Sequence, residues 1–265
     1  MNTIKIHVLH CGSIDLDEAA SFYEKTIHPM PYSGIFRSKK HQINVPVSAY
    51  LIEHPKGLIL IDTGWNTEVR TNPKKYLGWL YNISSTAHLP PQQAIHEQLH
   101  KLGYQASDID YLFLSHLHPD HVSGLKLLTN AKRILTSSLE LSDTKKHPLL
   151  YLPFMWKDVN VETFDFQNSE FDLFGDGSVV FVNTPGHTNG MSSTIVQNDG
   201  KFVLLCADTG YAEKSWLHMI LPGMMTNKKK AVQSLKWVKE MSENPNCIEV
   251  LANHDANVKP HIIEF

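Results

Sequence analysis

The chain has 265 residues, 42% of them hydrophobic, enough to bury one substantial core. Its 24 Lys and Arg against 27 Asp and Glu give a formal charge of −3, which argues against a polyanion-binding surface and so against nucleic acid as a partner. Cys11, Cys206 and Cys247 are widely spaced and sit in or beside apolar runs. They read as reduced core residues of a cytoplasmic protein, and no apolar stretch approaches the length of a membrane span.

Residues 1 to 9 lack the long apolar region of a signal peptide and read as a first strand. Val47 to Glu53 and Leu58 to Ile61 are separated by His54-Pro55-Lys56-Gly57, a turn signal that makes them a hairpin. The second run ends in Asp62-Thr63-Gly64. Residues 65 to 90 follow, with Pro73, Tyr76, Leu77, Trp79, Leu80 and Tyr81; this density suits either a lid over an apolar pocket or a homodimer contact. Gln92 to Leu102, ending at Gly103, and Val122 to Leu128 are expected to be helical. Residues 144 to 158, with Leu149, Leu150, Tyr151, Leu152, Phe154 and Trp156, form a second lid candidate.

Between those helices, the apolar stretch Tyr111-Leu112-Phe113-Leu114 runs into His116-Leu117-His118-Pro119-Asp120-His121. A buried strand followed by a polar turn places these side chains at the strand's carboxyl end, where α/β sheets usually build their sites. His116 and His118 are two apart and on an extended backbone point to the same side. Pro119 turns the chain, so Asp120 and His121 can diverge toward a second ion. Imidazole with one carboxylate suits zinc and its neighbours among the transition metals.

Four ligands cannot fill two coordination spheres, and later strand ends supply more. Val179 to Val182 runs into His187, Phe202 to Cys206 into Asp208, and Ile248 to Leu251 into His254. Taken singly, these could be a turn histidine, a helix cap and a loop residue. Ser192 to Gln197 pairs with Phe202 to Cys206 across Asn198-Asp199-Gly200-Lys201, and Asn227 to Met241 reads as a helix with the solvated start Lys228-Lys229-Lys230. Hairpins alternating with helices favour an α/β sandwich over a doubly wound sheet. The candidate ligands span both halves, so a single domain over residues 1–265 is the economical reading.

In this order the motifs resemble the metallo-β-lactamase superfamily, whose hydrolases carry a His-x-His-x-Asp-His loop, then a His, a bridging Asp and a final His. The resemblance implies a four-layer αβ/βα sandwich holding two divalent metal ions, most simply zinc. By it, His116, His118 and His187 hold one ion, Asp120, His121 and His254 the other, and Asp208 bridges them, while Asp62 supports the loop from behind. Asp208-Thr209-Gly210-Tyr211 is similar to the N-acyl-homoserine lactonases, which place a tyrosine three residues past the bridging aspartate; Tyr211 is otherwise a packing residue at a strand corner. This implies a small-molecule lactone substrate opened by a hydroxide generated at the metals. Tyr211 would polarise the carbonyl and Asp120 relay a proton to the leaving alkoxide.

A thioester hydrolase of the glyoxalase II type shares the metal pattern but must anchor an anionic glutathione moiety, and the C-terminal residues 258 to 265 hold no Lys/Arg cluster for it. A phosphodiesterase has weak support from a neutral-to-acidic chain. β-Lactamases with a cysteine ligand fit poorly, because His121 follows Asp120 and the bridging position reads as Asp208, not Cys206. A non-catalytic metal-dependent ligand sensor is the reading from a different class, and the complete ligand set argues against it.

Overall fold

The computed structural model describes residues 3–79 and 81–265; Met1 and Asn2 of the expected first strand, and Leu80 of the expected lid, lie outside them. Among the described residues, thirteen strands form two sheets. The first is ordered β13 (Ile262–Glu264), β1 (Lys5–Asp17), β2 (Gln42–His54), β3 (Gly57–Ile61), β5 (Tyr111–Phe113), β6 (Ile134–Ser137) and β7 (Glu162–Phe164), with β4 (Ser85–His88) also paired to β1. The second is ordered β12 (Cys247–Ala252), β11 (Lys201–Ala207), β10 (Ser192–Asn198), β9 (Val179–Asn183) and β8 (Glu170–Asp172).

The period of two along the strands builds the layers. In β3, Leu58 and Leu60 join an outer core with Ile95 and Leu99 of the helix Ile95–Lys101, whereas Ile59 and Ile61 face the second sheet. In β11, Val203 and Leu205 meet them from the other side, and Phe202, Leu204 and Cys206 pack outward on Leu235 and Val238 of the helix Lys228–Ser242. The result is helix, sheet, sheet, helix, the four-layer αβ/βα sandwich expected. Asn227 caps the last of these helices, its side chain accepting from the Lys230 backbone N–H at 3.0 Å.

Strand direction gathers the site. Strand β10 is antiparallel to both β9 and β11, and β12 is parallel to β11, so β9, β11 and β12 end on one edge. In the first sheet β3, β5 and β6 are mutually parallel and deliver their carboxyl ends to the same region.

Two helix expectations are corrected. The first helix starts at Ile95 rather than Gln92, because Gln92 has φ +66° and cannot belong to a right-handed helix. The helix expected at 122 to 128 is instead the end of a short helical turn, Pro119–Val122, followed by the tighter 3-10 turn Ser123–Leu127. Residues 65–90, the first lid candidate, contain the short helices Glu68–Thr71, Pro73–Leu77 and Tyr81–Ser84 as well as β4.

Candidate metal centre

All seven candidate ligands converge. His116, His118 and His187 present donor atoms within 4.8 Å of one another, as do Asp120, His121 and His254, and as do His116, His121 and Asp208. Asp208 faces both groups: its Oδ1 lies 3.2 Å from His121 Nε2 and 3.3 Å from His254 Nε2, and its Oδ2 lies 3.5 Å from His187 Nε2. Asp120 Oδ2 is 3.4 Å from His254 Nε2.

The chain aims these rings from behind. Asp62, expected to support the loop, follows β3 in a left-handed conformation, φ +62°, that costs a non-glycine residue roughly 1–3 kcal/mol. Its carboxylate offsets that cost by accepting from Ser115 N and Ser115 Oγ at 2.8 Å, from His121 Nδ1 at 2.8 Å and from Asn253 Nδ2 at 3.0 Å. The turn needs Gly64 two residues on, because a Cβ there would sit 2.1 Å from Cys11 Cβ. With its proton given to Asp62, the Ser115 hydroxyl accepts from His116 Nδ1 at 3.2 Å. The Nδ1–H groups of His187 and His254 donate to the carbonyls of Met224 and Pro46, each at 2.8 Å.

That accounting leaves lone pairs pointing inward. His116 Nε2, His121 Nε2, His254 Nε2 and Asp208 Oδ1 are buried without a hydrogen-bond partner among the described residues. His187 Nε2, a lone pair by the same tautomer, faces His118 Nδ1 at 2.8 Å. Buried donor atoms that converge without hydrogen-bond partners are what a cation satisfies, so the residues fit two metal ions.

The electrostatics divide the histidines. Burial holds the pKa of His116 and His118 well below the ordinary imidazole value, the neutral form a metal needs. Burial opposes charge on His121 and His254 too, but Asp208, with Asp120 on both and Asp62 on His121, outweighs it and raises both. Asp208 is likewise penalised by burial, yet His254 and His121 pull it well below the carboxylate range. Burial, with Asp208 and Asp120, lifts Tyr211 well above its ordinary value, so its hydroxyl stays protonated.

Tyr211 stacks on the His254 ring at 5.0 Å and, with His118, Asp120, His187 and Asp208, forms the polar floor of a cavity of about 320 Å³. The walls are apolar: Ile14 and Leu16 of β1, Leu77, Tyr81 and Ile83, Leu150 and Leu152, and Met224. Both lid candidates therefore reach the cavity in part, although Trp79 is 74% exposed and turned elsewhere. Tyr32 and Ile35 complete the wall from a segment for which no sequence signal stood out; Arg37 pins that segment to Asp17 at 2.8 Å and to Glu24. Ser115 and Asn253, adjacent to ligands, and buried Glu140 were also not singled out.

The profile of the metallo-β-lactamase superfamily matches residues 43–239, most of the chain. The chain belongs to this superfamily. It is 27% identical over 250 residues to the N-acyl homoserine lactonase AttM of Agrobacterium fabrum, covering 85% of this chain and 92% of that one. A solved N-acyl homoserine lactone hydrolase, with the product N-hexanoyl-L-homoserine bound at its catalytic metal centre, superposes with TM-score 0.80 at 24% identity over 97% of this chain and 95% of its own. AidC, a dizinc quorum-quenching lactonase, does so with TM-score 0.69 at 20% identity over 97% and 89%.

Proposed function

We propose that the chain is a metal-dependent hydrolase that opens the lactone ring of N-acyl-homoserine lactones or related lactones, acting as one domain over residues 1–265. The observation that carries this reading is the joining of a polar, ligand-rich floor to an apolar wall in one cavity, which suits a substrate with a polar head and an acyl tail. Relatives named as N-acyl homoserine lactonases support it. In this reading His116, His118 and His187 hold one divalent ion, Asp120, His121 and His254 the other, and Asp208 serves both. Zinc is the simplest choice for such a donor set.

Bound ions supply Lewis acidity, favouring deprotonated water and polarising a carbonyl. The residues do the rest. The Tyr211 hydroxyl donates to the lactone carbonyl oxygen as negative charge develops there. Asp120, partly open to the cavity, carries a proton to the departing ring oxygen. Leu150, Leu152 and Ile14 keep the acyl tail and exclude water around it.

A glutathione thioester is disfavoured because the described lining residues of this cavity include no Lys or Arg to anchor an anion. Assays of the metal-loaded protein on short- and long-chain acyl-homoserine lactones, a glutathione thioester and an activated phosphodiester test the assignment. Lactones are expected to be turned over fastest; a preference for the thioester sinks it, and no turnover at all returns the sensor reading. We place the protein in the cytoplasm. Among the described residues, no helix is long and apolar enough to cross a membrane. A homodimer through exposed Trp79 is the second reading of residues 65–90, and the mass in solution decides it.

Metal uptake should be linked to protons. Because His121 and His254 bind protons above the usual imidazole range, a metal must displace them. Zinc added to metal-free protein in weak buffer is expected to release protons, and apparent affinity to fall as pH is lowered through those raised values. An affinity independent of pH across that range contradicts this account.

A further inference from the structure

We propose that the buried Glu140 carboxylate is a positioning group of the His116–His118–His187 site, a point at which the His116–His118 segment and the His187 loop are fixed against each other. The inference rests on the reading of those histidines as metal ligands. Glu140 is fully buried in the helix Ser138–Lys146. Its Oε1 accepts from the backbone N–H of Leu117, the residue between two ligands, at 3.0 Å. Its Oε2 accepts from the hydroxyl of Thr188, the residue after His187, at 2.6 Å. No sequence proximity brings these segments together; Ser192 N donates to the Ser115 carbonyl at 3.0 Å at their base, and this side chain ties them beside the ligands themselves.

The surroundings make the point rigid. Ser137 Oγ accepts from Glu140 N at 3.0 Å and donates to the Gly190 carbonyl at 2.7 Å. Asn189 N donates to Asp143 Oδ2 at 3.3 Å. The loop lies so close to the helix that a Cβ on Gly190 would fall 1.9 Å from Glu140 N. Tyr151 Oη lies 3.1 Å from Glu140 Oε1 and 3.0 Å from Asp143 Oδ2, and its ring is 5.3 Å from that of His118. Tyr151 belongs to the segment whose Leu150 and Leu152 line the cavity, so the acyl wall is tied to the same point.

An apolar side chain would fill this space without the cost of burying a carboxylate, so the carboxylate is there for its hydrogen bonds. What those bonds hold is the approach of His118 Nδ1 to His187 Nε2, 2.8 Å apart across the junction of the two segments. Partners that orient metal ligands in this way are typically worth about ten- to a hundredfold in metal affinity.

Cobalt(II) titration of the full chain, read by absorption, separates the two equivalents without using turnover. Glu140→Ala is expected to weaken one equivalent by roughly ten- to a hundredfold and to leave the residual spectrum of His187→Ala. Glu140→Gln keeps an acceptor for Leu117 and offers a donor to the Thr188 hydroxyl, so it should remain close to wild type. Thr188→Val removes one hydroxyl and should weaken the same equivalent by a few-fold, which decides the matter if Glu140→Ala does not fold. Unchanged affinities in Thr188→Val and in folded Glu140→Ala, or equal weakening of both equivalents, overturn the inference alone. A wild-type chain that takes up no cobalt overturns the metal reading and this inference with it.

Discussion

Asp208→Ala is expected to cost the protein both ions and at least about a thousandfold of lactone turnover, a larger loss than removal of one oxyanion donor. The two oxygens of Asp208 point to different ligand groups, Oδ1 to His121 and His254 and Oδ2 to His187. Its removal takes away the shared anion and leaves buried imidazoles facing one another with no charge between them. His254→Ala, by contrast, removes a donor from one group only and should leave the His116–His118–His187 site occupied. Elemental analysis of purified proteins should give about two ions per chain for the wild type, about one for His254→Ala and fewer than one for Asp208→Ala. Full activity at a single ion per wild-type chain, persisting in excess metal, would end the two-ion reading. Equal loss in the two variants would contradict the ligand assignment.

The candidate ligands were readable because each is announced locally. His116, His118, Asp120 and His121 share one short loop, and His187, Asp208 and His254 each follow an apolar run that becomes β9, β11 or β12. Parallel direction among those strands turns a linear pattern into a spatial cluster, and Asp62 joins it because β3 runs beside β5 in the same sense. The layers were readable for a similar reason, the alternation in β3 and β11.

What stayed hidden depends on tertiary contact alone. Glu140 sits in a helix of mostly polar sequence, SLELSDTKK, and reads as a surface residue until the His187–Gly190 loop docks on it. Burial then pushes its carboxyl up to about 7, against the hydrogen bonds from Thr188 and Leu117. Tyr32 and Ile35 line the cavity from a segment without helical or strand period. Their placement rests on Arg37, whose partners Asp17 and Glu24 lie 20 and 13 residues back. The 3-10 turn at Ser123–Leu127 was also beyond pattern reading, since an apolar spacing there suits either kind of helix.

Tyr211→Phe is expected to lower kcat for lactones by roughly ten- to a thousandfold while metal content and the folded spectrum stay at wild-type values. The ring would keep its contact with the His254 ring, 5.0 Å away, and its edge contact with Phe22 at 6.4 Å, so packing is preserved. Only the hydroxyl is lost, and it is a hydroxyl held in its protonated, donating form by burial and by the neighbouring carboxylates. The loss should fall mainly on kcat rather than KM, because the charge it stabilises grows on the carbonyl oxygen only as the ring carbon is attacked. A packing role predicts the opposite pattern, with unchanged kinetics and at most a small shift in Tm. If Tyr211→Phe turns over acyl-homoserine lactones as the wild type does, Tyr211 is a wall of the pocket, and the lactonase assignment loses the residue that separates it from other hydrolases of this superfamily.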